Sequence, residues 1–93
     1  MKKIDRKLLK LGFVKKIENN YGATYEKKNK KHNFIQEVGI VHKNSNKCVI
    51  FSYEKTINSD GLNNTIGLST KEMKLFMKKC KQLKKKYKWE VKK

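Results

Sequence analysis

Lys74, Lys78, Lys81, Lys85 and Lys88 recur at intervals of four, three, four and three, the spacing that places every ammonium group on one face of a helix. Cations held in a row along a rod can neutralise successive phosphates of a polyanion. Lys27, Lys28, Lys30 and Lys31 form a second group around the tip between two expected strands, so helix row and tip are expected to grip one polyanion together. Of the 25 basic residues 24 are lysine and only Arg6 is arginine. Arginine forks read guanine edges and clamp phosphates bidentately, whereas lysine is a flexible point charge, so the expected contact is with backbone and carries little base readout.

Other chemistry is thin. His32 lies on the basic tip and His42 ends a strand, with Asp5, Asp60 and six glutamates as the only acids in the chain to orient a base, so no catalytic set is assigned and the chain is read as a non-enzyme. Cys48, Cys80, His32 and His42 lack the spacing of a zinc site, and neither a metal nor a cofactor is expected. The glycines at 12, 22, 39, 61 and 67 are isolated, so no phosphate-cradling loop is present. Aromatics interleave with lysines in Lys84-Lys85-Lys86-Tyr87-Lys88-Trp89, an arrangement that can stack bases. Tyr87 nevertheless falls in an apolar stripe and Trp89 is expected to fold back over the end of the molecule. Tyr21 and Tyr53 read as sheet residues, and Leu75, on the polar side of its helix, as a protein contact.

The elements that must position these groups follow from periodicity and punctuation. Asp5 is expected to cap a two-turn helix over residues 6–11 that stops at Gly12, with Ile4, Leu8 and Leu11 on one face and Lys3, Lys7 and Lys10 in water. Four strands are expected at 13–18, 23–28, 34–43 and 47–54, separated by turns at 19–22, 29–33 and 44–46. Cys48-Val49-Ile50-Phe51 is apolar on both faces, the pattern of a central or well-covered strand. Asn58-Ser59-Asp60-Gly61 signals a turn, and 62–68 reads as a loop with some extended character. Ser69-Thr70-Lys71-Glu72 is a capping box opening a long helix whose buried stripe is expected to be Met73, Phe76, Met77, Cys80, Leu83 and Tyr87. The fold class is therefore α+β: a short N-terminal helix, an antiparallel sheet of three to five strands and a long amphipathic C-terminal helix packed on one face.

Composition bounds the rest. Residues 1–93 suffice for one domain, and a net charge of +17 with 37% hydrophobic residues demands an external anion. No apolar run is long enough to span a membrane, the first residues lack the apolar stretch of a secretory leader, and two cysteines make no disulfide framework. The chain is expected in the cytoplasm.

Three resemblances add expectations of function. The helix–sheet–helix order, with Tyr25, His32 and Phe34, resembles double-stranded-RNA-binding domains, although Ser69-Thr70-Lys71-Glu72-Met73 stands where those domains carry a Lys-Lys-x-Ala-Lys signature. Leu8-Leu9-Lys10-Leu11-Gly12-Phe13 is similar to the opening helix of HicA-type mRNA-interferase toxins. His32 here stands in Lys30-Lys31-His32-Asn33, outside the Gly-Ser-His setting of that family. Leu11-Gly12-Phe13 and Leu68-Ser69-Thr70-Lys71-Glu72-Met73, ahead of a lysine-rich last helix, resemble small basic proteins of phages and mobile elements of low-GC bacteria. That last resemblance implies an anti-defence inhibitor of anti-CRISPR type, with a host defence nuclease or its guide complex as partner. The expected function is binding of nucleic acid or a nucleoprotein through the lysine face; the alternatives are such an inhibitor and, second, an RNA-cleaving toxin.

Overall fold

The structure is a computed structural model that describes residues 3–43, 47–55 and 64–89. Its elements run α1 (Lys3–Lys10), β1 (Val14–Asn19), β2 (Gly22–Asn29), β3 (Phe34–Lys43), β4 (Lys47–Lys55) and α2 (Thr70–Lys86). The strands form one antiparallel sheet in sequence order, β1-β2-β3-β4, as consecutive hairpins dictate, and both helices lie on one face. The α+β architecture is the one expected. The turns expected at 44–46 and 58–61 lie outside the described residues.

Alternation along each strand sorts the side chains. Ala23 and Tyr25 of β2, Val38 and Ile40 of β3, and Cys48 and Ile50 of β4 face the helices and join Leu8, Phe13, Leu75, Phe76, Cys80 and Leu83 in the core. Phe76 is the hub. Phe13 and Tyr25 meet it edge-on, with ring centroids 5.1 and 5.5 Å away.

Local rules fix the ends of the elements. Gly12 sits at φ +99° and stops α1, and Gly22 at φ +150° passes so close to β3 that a Cβ would lie 1.8 Å from the Ile40 carbonyl oxygen. The Ser69 hydroxyl accepts from the Glu72 amide and the Glu72 carboxylate from the Ser69 amide, completing the expected capping box. At the other end the Trp89 amide donates to the Lys84 carbonyl and Lys88 takes φ +55°, a Schellman-type stop built without glycine. Trp89 folds back as expected, buried, its indole stacked 4.5 Å from His42 and donating to the Asn20 carbonyl at 2.8 Å.

Four expectations need correction. Asp5 lies inside α1 rather than capping it, and it is buried. Strand β4 ends the sheet order instead of lying centrally, its outer edge joined among the described residues by the bridge from Tyr53 to Thr65, and Phe51 is 43% exposed. Tyr21 lies in the turn expected at 19–22 and, 75% exposed, is not the sheet residue it also reads as, because the two-residue β1–β2 hairpin lifts it off the sheet. On α2 the buried residues are Leu75, Phe76, Lys79, Cys80 and Leu83, while Met73 and Met77 are exposed, a face rotated by roughly 60° from the one expected. The cause is α1: it packs beside α2 as well as on the sheet and draws Leu75 inward against Leu11.

Candidate nucleic-acid interface

Rotation of α2 leaves its lysine row squarely outward. With the helix buried along Leu75, Phe76, Lys79 and Leu83, positions 74, 78, 81 and 85 fall on the opposite side, and all four lysines are exposed. Among the described residues none of these four ammonium groups pairs with a carboxylate; the ion pairs use Lys15, Lys16, Lys27, Lys55, Lys79 and Lys86. From Lys74 to Lys85 the row runs about 16 Å along the helix axis at about 1.5 Å per residue.

Lys88 does not extend it. It stands past the end of α2 in the left-handed conformation, exposed but out of helical register.

The tip lysines are not gathered either. Lys27 belongs to β2 on the helix-covered side, where its ammonium lies 3.4 Å from the Glu72 carboxylate and 5.1 Å from the centre of the Phe13 ring. Lys28, next along the strand, projects to the opposite side, and only Lys30 and Lys31 occupy the turn. Strand alternation splits what proximity in sequence grouped.

Instead, the fold supplies lysines that sequence spacing did not connect to the row. Lys7, Lys10, Lys71, Lys74 and Lys78 line a cleft of about 390 Å³ between α1 and α2, floored by Leu11 and Leu75. The available signal was the wet face of α1, Lys3, Lys7 and Lys10, which the contact between the two helices carries up to the row. Leu75, taken from sequence as a partner contact, is only 8% exposed and serves as the floor.

Beneath the helices the structure buries charge. The Lys79 ammonium, 1% exposed, lies 3.1 Å from Asp5 and 2.7 Å from Glu18 and donates to Gln82 Oε1 at 2.8 Å. Tyr25 donates its hydroxyl to Asp5 at 2.5 Å, Lys15 reaches both carboxylates, and Lys86 and Tyr87 close on Glu18. A β-bulge between Lys15 and Ile17 makes this possible, since it brings Lys15 and Glu18, three apart, to the same side of β1. Burial alone would raise the Asp5 carboxyl, but hydrogen bonds from Tyr25, Lys15 and Lys79 outweigh it and hold it below its ordinary value. Glu18 follows the same logic further: burial is overcome by Lys79, Lys86 and Tyr87, and its carboxyl is held well below the usual range. Burial and then the Asp5 carboxylate push the Tyr25 phenol up. With both carboxylates and the Lys79 ammonium buried and every member partnered, the cluster is a structural lock.

The remaining candidate groups are dispersed. His32 is exposed on the β2–β3 turn beside Phe34, and His42 lies at the far end of β3 as the cross-strand neighbour of Cys48. Cys80 is buried and Cys48 half-buried, both as free thiols, and burial followed by the hydrogen bond with Cys48 pushes the Cys80 thiol up to about 12. Among the described residues no three His, Cys, Asp or Glu side chains converge as metal ligands, and no helix is long and apolar enough to cross a membrane. No protein-family model, curated protein or solved structure matches this chain.

Proposed function

We propose that the protein is a cytoplasmic, non-enzymatic binder of nucleic acid or of a nucleoprotein, taking the phosphate backbone along Lys74, Lys78, Lys81 and Lys85 and in the adjoining cleft with Lys7, Lys10 and Lys71. One observation carries this reading: these ammonium groups are exposed and unpaired among the described residues, while other lysines of the same chain are neutralised by carboxylates. Among the described residues of this +17 chain the acids serve an internal lock, the sheet and the start of α2, and none pairs with the lysine row or the cleft lysines. Lysine without arginine fits contact through phosphates and little readout of base edges.

The test is the salt dependence of binding to a short duplex. Occupation of about six phosphates gives log K falling against log salt with a slope of about −5 on DNA. Lys74→Gln with Lys78→Gln should lower that slope by about 2 without unfolding the chain. A slope near zero overturns the reading. So does a host protein that co-purifies at high salt while free nucleic acid is not bound, which would put the nuclease-inhibitor reading in its place.

A further inference from the structure

The fold brings both cysteines of the chain to one place. Cys48 stands at the start of the helix-facing side of β4, Cys80 lies on the flank of α2, and the two meet at the border of the core with their thiols within hydrogen-bonding reach. Because β4 is the end strand, the helices do not close this border. A cleft of about 490 Å³ opens there, walled by both thiols with Ile50 and Met77, and Lys81 and Lys84 stand beside it.

The two thiols are unequal. Cys48 is half-buried and borders the cleft, whereas Cys80 is only 8% exposed, and burial followed by the bond with Cys48 pushes its thiol up to about 12. Exchange with a disulfide begins at the sulfur a small molecule can reach, so the fold gives the first attack to Cys48 and holds Cys80 for the second. The Lys84 ammonium works against the rise at Cys80 and favours the thiolate that this second attack needs. Lys81 and Lys84 also select the reagent. Neither pairs with a carboxylate among the described residues, so the cleft favours an anionic disulfide, such as that of a carboxylate-bearing thiol peptide.

We propose that Cys48 and Cys80 form a redox-modification site, a thiol pair that an anionic small-molecule disulfide closes reversibly into a bond between β4 and α2. In the first step the Cys48 thiolate attacks one sulfur of the small disulfide, making a mixed disulfide and releasing one small thiol. In the second the Cys80 thiolate attacks the Cys48 sulfur, making the internal bond and expelling the second small thiol. The protons of both cysteines leave with the two small thiols; the pair gives up two electrons and the small disulfide takes them. At the unclosed border the cleft leaves room for the two sulfurs to turn from contact to bonding distance. The bond closes a loop of about 30 residues and fastens the end strand to the helix that carries the lysine row. In a reducing compartment it is transient and follows the balance of disulfide and thiol in the small-molecule pool.

This inference does not rest on nucleic-acid binding. The experiment treats the folded, fully reduced chain with oxidised glutathione and reads intact mass and thermal unfolding. The mass is expected to fall by two hydrogen atoms with no glutathionyl group retained, and the thermal midpoint to rise by about 10 °C or more, both reversed by dithiothreitol. Cys80→Ala should stop after the first step and keep one glutathionyl group, while Cys48→Ala should take none as long as it stays folded. A parent chain that keeps both thiols, retains a glutathionyl group, links two copies instead, or closes without a higher midpoint overturns the proposal. So does a folded Cys48→Ala chain that is modified as fast as Cys80→Ala.

Discussion

Lys79 decides more of this structure than any other side chain. Removing it would leave Asp5 and Glu18 buried with only the half-exposed Lys15 and Lys86 as counter-ions, and a broken buried pair typically costs about 3 to 5 kcal/mol. Lys79→Met is therefore expected to destabilise the fold by about 3 kcal/mol in urea unfolding, whereas Lys78→Met, one residue away on the wet face, should change it by less than about 0.5 kcal/mol. The same lock sets the pH dependence. Both carboxyls have folded values below their unfolded ones, so their contribution is complete above about pH 5 and is lost as pH falls towards the depressed folded values. Unfolding midpoints should drop steadily from about pH 5 downwards, and Glu18→Gln should flatten that limb. Lys88 offers the opposite change. At φ +55° it holds a position that suits glycine, and Lys88→Gly should raise stability by about 1 kcal/mol, read as a higher thermal midpoint.

The elements themselves were legible because each announces itself locally. Period-two patterning and polar turns bounded the strands to within about a residue, and Ser69 with Glu72 marked the start of α2. The facing of α2 was not legible from its own wheel, since an apolar stripe records what a helix covers only when one partner lies beneath it. Two partners lie there, sheet and α1, so Leu75 and Lys79 are inside and Met73 and Met77 outside. Leu75→Ala should accordingly cost about 2 to 4 kcal/mol and Met77→Ala less than about 1, a contrast that chemical denaturation resolves and that the wheel alone would reverse. Of the candidate binding groups the helical row Lys74, Lys78, Lys81 and Lys85 was readable from spacing. The cleft with Lys7 and Lys10 was not, because it depends on the α1–α2 contact across some sixty residues of intervening chain. Lys27 was misplaced for a related reason: four lysines adjacent in sequence read as one patch, while a strand sends neighbours to opposite sides.

Taken as one body, the protein has two unlike sides, with helices presenting ammonium groups unpaired among the described residues and a sheet presenting apolar residues beside the Lys55, Glu26 and Glu37 cluster. Substitutions should sort by side. Lys81→Gln with Lys85→Gln is expected to lower nucleic-acid affinity at moderate salt, while Phe51→Ser on the far side should leave it unchanged, as titration of a short duplex would show. The lock between the layers has a consequence for biosynthesis. Asp5 and Glu18 are made early, but the ammonium group that neutralises both is Lys79, 74 positions after Asp5. A nascent chain carrying the four strands alone would have to keep two carboxylates dry without that counter-ion, so translation must pass Lys79 before the molecule can close. Translation at about 5 to 20 residues per second makes that an interval of seconds, during which the emerging hairpins are open to proteases and chaperones.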